Sequence, residues 1–158
     1  MTVFLDLEFD TGVTGRAGLG DIASSLVSLD ELLRDLGSIA AYRSRVEFRK
    51  IEIVAIELRS PLKVKLSLQA IPVEAVTAFQ AICRDIIVSR DRRARQSAPT
   101  GQEESARRLA SITAALDLCA AGGVHPRITE QEAQRMYGHI EILHNAEVPL
   151  RRVEVRDE

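Results

Sequence analysis

Residues 51–69 read Ile-Glu-Ile-Val-Ala-Ile-Glu-Leu-Arg-Ser-Pro-Leu-Lys-Val-Lys-Leu-Ser-Leu-Gln, and the fold turns on them. Leu62, Val64, Leu66 and Leu68 alternate with Lys63, Lys65, Ser67 and Gln69, the two-residue period of a strand with one covered face. Upstream, Ile51 and Ile53 fall on odd positions whereas Val54, Ile56 and Leu58 fall on even ones, so the inward face changes near Ile53. Either a bulge sits there or both faces of that strand are covered. The link Arg59-Ser60-Pro61 is short enough for a hairpin, and a proline at a strand start removes no needed ladder donor. Two adjacent antiparallel strands are expected.

Working outward, Val3, Leu5, Leu7 and Phe9 alternate with Phe4, Asp6 and Glu8 as a first strand. Thr11–Gly20 carries four glycines and two threonines, a loop composition. From Asp21, the residues Ile22, Leu26, Leu29, Leu33 and Leu36 step by three and four as a first helix, with Asp21 or Gly20 at its cap. A continuation past Gly37 through Ile39 and Tyr42 is open, since a helical glycine costs only about 1 kcal/mol relative to alanine. After the hairpin, Pro72 can begin a second helix, and Val76, Phe79, Cys83 and Ile86 or Ile87 carry it to about Ser89. A third helix is expected over Glu103–Ala121, with Leu109, Ile112, Leu116 and Ala120 inward and Gly122-Gly123 as its stop. A fourth starts near Thr129, where Thr129 and Glu132 make a capping box, and carries Met136, Ile140 and Leu143. Val148–Val155 reads as a charged edge strand.

The whole chain, 158 residues at 46% hydrophobic and 28% charged, suits one domain spanning 1–158. A flexible connection is expected at about 92–101 and a helical insertion at about 102–145. Setting the inserted pair aside, the order is β-α-β-β-α-β, which predicts an α+β, ferredoxin-like sandwich with a helical pair before its last strand. Leu26, Leu29, Leu33, Val64, Leu66, Phe79 and Leu116 are its predicted core.

Composition also restricts function. A net charge of −2 is too small for the surface as a whole to collect nucleic acid or anionic membrane. Aromatic residues make up 4%, with no tryptophan, which leaves little for base stacking. No run approaches the roughly 18–20 apolar residues that span a bilayer, and the acidic, alternating first ten residues do not resemble a secretory leader. Cys83 and Cys119 lie in helical stretches without a C-x-x-C, which reads as free thiols in a reducing cytoplasm. Neither membrane nor nucleic acid is therefore expected as a partner.

Catalytic patterns are sparse. Glu141 and His144 form an E-x-x-H on one helix face, but a di-iron site needs a second such pair and further carboxylates. His139 and His144, five apart, point to different sides of a helix. The glycines at 12, 15, 18 and 20 precede a helix where phosphate loops sit, but lack the spacing of either common fingerprint. No G-x-S-x-G occurs. No metal, cofactor or catalytic residue is assigned, and a site assembled from distant residues stays open.

Charge is the uneven feature. Residues 84–95 hold five arginines against two aspartates, while residues 1–35 hold seven acids against two arginines. Arg90, Arg92, Arg93 and Arg95 follow a well-anchored helix, and guanidinium forks suit carboxylates. They are the candidate docking residues for an acidic protein partner; the alternative is a solvated helix end favoured by the helix dipole. A non-enzymatic interaction module, with homo-oligomerisation open, is the leading functional reading. A small-molecule or nucleotide sensor using the Thr11–Gly20 loop is the second, and an enzyme the third.

Residues 51–68, the helix of residues 73–90 and the closing Val-Pro-Leu-Arg-Arg-Val-Glu-Val of 148–155 together resemble the TRADD-N family. That family comprises the N-terminal domain of a death-domain adaptor of tumour-necrosis-factor signalling and proposed prokaryotic relatives. The resemblance implies an adaptor of prokaryotic immunity or conflict systems whose partner is an effector encoded nearby. It carries over no catalytic residue.

Overall fold

The computed structural model describes residues 2–10, 18–44, 50–57, 61–95, 101–119 and 130–157. The element order is β1 (Thr2–Phe9), α1 (Leu19–Ser44), β2 (Lys50–Glu57), β3 (Leu62–Gln69), α2 (Val73–Arg95), α3 (Gly101–Cys119), α4 (Glu130–His144) and β4 (Leu150–Asp157). Among the described residues this is an α+β arrangement of one four-stranded sheet and four helices. The sheet order is β2-β3-β1-β4, and every neighbouring pair is antiparallel.

Alternation decides which face is covered. Val3, Leu5, Leu7 and Phe9 of β1 lie opposite Leu68, Leu66, Val64 and Leu62 of β3, and all eight are buried. Leu150 and Val153 of β4 extend this face beside Phe9 and Leu7. The opposite face carries Asp6 against Lys65 and Glu8 against Lys63, cross-strand opposite charges suited to water. There Lys65 Nζ lies 4.6 Å from the centre of the Phe4 ring, and Arg156 pairs with Asp6 at 2.8 Å.

The change of face in β2 is a bulge. Ile51 and Ile53 oppose Leu68 and Leu66, but Ile56 opposes Val64, and the register shifts between Ile53 and Ala55. Leu58 and the Arg59-Ser60 link lie outside the described residues.

The helices put leucine, isoleucine and alanine rows against the covered face. Leu29, Leu32, Leu33 and Leu36 of α1, Val76, Phe79, Ile82 and Ile86 of α2, Ile112 and Ala115 of α3, and Met136, Ile140 and Leu143 of α4 join one core with the strands. Of the predicted core residues, Leu29, Leu33, Val64, Leu66 and Phe79 are buried, whereas Leu26 and Leu116 are partly buried at its margin.

Two helix boundaries differ from the sequence expectation, and one that it left open is filled. α1 continues through Gly37 to Ser44, because Ala40 beyond the glycine is also buried. α2 runs past Ser89 to Arg95, and α3 already begins at Gly101. The expected flexible connection at 92–101 is helical over 92–95, where arginine and alanine are strong helix formers, and at Gly101, where α3 begins; residues 96–100 lie outside the described residues. The capping threonine at 129 also falls outside, and α4 begins at Glu130 with Glu130 and Glu132 in its first turn, where carboxylates favour the helix dipole.

The largest correction concerns the face of α3. Leu109, expected inward, is 56% exposed, and its neighbour Arg108 is 8% exposed. The buried positions Arg108, Ile112 and Ala115 keep helical spacing, but the stripe is rotated so that a charge enters the interior. α4 explains this, because it offers Arg108 acceptors.

Among the described residues no helix is long and apolar enough to cross a membrane.

Candidate functional site

Two polar constellations lie around α3. The first sits between α3 and α4. Arg108 reaches Tyr137 Oη from Nη1 at 3.4 Å and His144 Nδ1 from Nη2 at 3.3 Å, and Glu141 Oε1 lies 3.7 Å from Nη1. Its guanidinium also lies 5.6 Å from the centre of the Tyr137 ring. Ser105, one turn earlier on α3, shares a 3.0 Å hydrogen bond with the Tyr137 hydroxyl. The E-x-x-H of Glu141 and His144 thus does project from one side of α4, as the spacing requires, and it addresses an arginine.

His139 faces elsewhere, towards α1. Its Nε2 lies 3.0 Å from Glu31 Oε2, outside hydrogen-bond geometry. One turn away, Arg135 forms a fork with Asp35, Nε and Nη2 donating at 3.0 and 2.8 Å. Part of the acidic charge in the first 35 residues is therefore taken up by α4. Among the described residues no group of three His, Cys, Asp or Glu side chains is placed to hold a metal ion. Cys83 is fully buried and burial pushes its thiol up, away from the reactive thiolate. Of the glycine loop, residues 11–17 lie outside the described residues.

The phenol of Tyr137 is held below its ordinary value, first by the hydrogen bond to Ser105 and then by Arg108. A phenol depressed on folding leaves the unfolded chain holding more protons between the folded value and the ordinary value near 10. Its contribution to stability is thus present above that ordinary value and is lost as pH falls through the folded one. Ultraviolet phenolate titration in a Tyr42→Phe background is expected to show Tyr137 ionising below a free tyrosine, with Arg108→Met moving it back up. Coincident curves for the two proteins would deny Arg108 that role.

The arginines singled out in the sequence separate. Arg90 turns inward: Nη1 donates to the carbonyl oxygens of His144 at 2.7 Å and Ala146 at 3.1 Å. Those carbonyls belong to the end of α4 and the turn after it, so Arg90 caps that helix and serves the fold. Arg92 is exposed and lines the second constellation, a groove of about 380 Å³ between α2 and α3. Arg93 and Arg95 are helical positions of α2 whose side chains lie outside the description.

Helical spacing builds this groove. Ala81, Asp85, Ser89 and Arg92 form one face of α2, and Arg107, Ala110, Ser111 and Ala114 one face of α3. Three alanines line the groove, Ser111 Oγ donates to Asp85 Oδ2 at 2.7 Å to tie the helices together, and Arg92 and Arg107 supply its cationic groups. Arg107 and Ser111 were not among the candidates read from the sequence. Their signal is a stripe of polar and small residues at helical spacing, Arg107, Ser111 and Ala114, which apolar periodicity does not pick out. No family model, no curated protein and no solved structure matches the chain.

Proposed function

We propose that the domain is a non-enzymatic interaction module that takes an acidic segment of a protein partner into the α2–α3 groove. The carrying observation is that Arg92 and Arg107, from two helices, line one groove whose other side chains are alanines, serines and Asp85, the carboxylate of Asp85 accepting from Ser111. Paired guanidinium groups match carboxylates in shape and charge. The other prominent charged groups, Arg90, Arg108 and Arg135, are occupied in holding helices together.

The ferredoxin-like reading belongs to the same proposal. It is supported by the β-α-β-β-α-β order around an antiparallel sheet ordered β2-β3-β1-β4, with α3 and α4 inserted before the last strand. The TRADD-N resemblance extends it to an adaptor in a prokaryotic immunity or conflict system, with a cytoplasmic effector encoded nearby as partner. Neighbouring reading frames test that extension.

The groove is tested by fluorescence anisotropy with labelled glutamate- and aspartate-rich peptides. Wild type is expected to bind with an affinity that falls as salt rises. Arg92→Glu/Arg107→Glu is expected to weaken binding at least about tenfold while stability stays within about 0.5 kcal/mol, as for most exposed substitutions. Undiminished binding by the reversed protein would end this reading of the groove.

A further inference from the structure

The two outer strands of the sheet are unlike one another. β4 carries Arg151, Arg152, Glu154, Arg156 and Asp157, the charge that blunts a sheet edge against pairing. β2 instead exposes Ile53, Val54 and Ile56 at 56, 53 and 46%. It bonds to β3 on one side, and among the described residues no strand pairs its other side. An apolar, eight-residue edge of this kind is a template for another strand.

Its register is self-complementary. On the face that the helices cover elsewhere in the sheet, β2 presents Ile51 and Ile53 before the bulge and Ile56 after it; on the opposite face stand positions 50, 52, 55 and 57. A regular strand pairing antiparallel with its own copy must set one residue opposite itself. Here such a register mismatches the faces beyond the bulge: centring on Ile53, for example, sets Ile51 against Ala55 and Lys50 against Ile56. Centring between Ile53 and Val54 instead sets Lys50 opposite Glu57, Ile51 opposite Ile56, Glu52 opposite Ala55 and Ile53 opposite Val54. Every side chain outside the bulge then meets one from the same face, isoleucine meets isoleucine, and a lysine meets a glutamate at each end. A bulge in a lone edge ordinarily discourages pairing; this one brings the two halves of the strand into matching phase.

We propose that two copies of the chain join along β2 in this register, making one continuous antiparallel sheet about a two-fold axis. The surface is separate from the α2–α3 groove, and the proposal stands or falls independently of it.

The test uses the full chain in sedimentation velocity and light scattering over a concentration series. A mass rising towards twice 17.4 kDa is expected. Lys50→Glu and Glu57→Lys each place like charges at both ends of the shared ladder and are expected to weaken dimerisation about tenfold. Lys50→Glu/Glu57→Lys restores opposite charges between copies and is expected to restore the dimer. Because Glu57→Lys also sets a like charge against Lys63 within its own sheet, in the double variant as in the single one, that rescue can only come from between copies. Ile56→Lys, with circular dichroism to verify folding, is expected to abolish the dimer, and hydrogen exchange is expected to slow at β2 amides as wild type dimerises. A wild type that stays monomeric to millimolar concentration overturns the proposal. So does a dimer without added β2 protection, or a double swap no better than its single variants.

Discussion

Truncating Phe79 to alanine is expected to lower the free energy of unfolding by about 3–5 kcal/mol, the range for a large aromatic removed from a packed core. Phe79 is fully buried on α2, flanked along the same face by Ala75, Val76, Ile82, Cys83 and Ile86, which are also buried. Helix and sheet meet in one cluster there, so the vacated volume has walls on several elements and little freedom to collapse. Small domains have only about 5–15 kcal/mol in total, and the loss is therefore a large share. Urea titration of wild type, Phe79→Leu and Phe79→Ala measures it, with the leucine variant expected to lose less than about 1.5 kcal/mol. Equal losses for the two variants would mean that the core closes over the gap.

The second large effect is at Arg108, where the choice of replacement should matter more than the loss of charge. Arg108→Ala removes the stem that fills the space between α3 and α4 and takes a donor from both Tyr137 Oη and His144 Nδ1. Both replacements lose the donor, and Tyr137 Oη keeps its bond to Ser105, so what separates alanine from methionine is the apolar stem packed between the helices. Arg108→Met keeps the stem and no longer draws a guanidinium out of water, a penalty that often cancels what a buried ion pair returns. The expected order of stability is therefore methionine close to wild type and alanine lower by about 2–4 kcal/mol, the range for truncating a long buried side chain, read from denaturant midpoints. Should methionine fall as far as alanine, the polar contacts themselves would be holding α3 to α4.

Much of the fold could be read from spacing, since a half-covered strand has to alternate. The Leu62–Gln69 strand, its antiparallel neighbour and the phase change near Ile53 all follow from single side chains assigned to one of two faces. The rotation of α3 could not be read this way. Arg108 and Leu109 are adjacent, and apolar periodicity alone turns the leucine inward; what reverses it is a set of acceptors on α4, about thirty residues further along the chain. The arginine cluster was visible as charge, but its division was not. Arg90 and Arg92 sit two residues apart on one helix and so face different ways, one to the end of α4 and one to the groove.

The central position of β1 bears on how the protein is made. Phe9 pairs with Leu62 on one side and with Leu150 on the other. The first of these partners is translated early, and the second only after all four helices. A nascent chain on the ribosome can therefore assemble β2, β3 and β1 while β1 still has a bare flank. Throughout the synthesis of α2, α3 and α4 that flank can be seized by any passing extended peptide, and β4 is the latch that closes it. Contacts this far apart in sequence also form slowly, so yield in the cell should depend on how long that flank stays open and on whether a chaperone attends it.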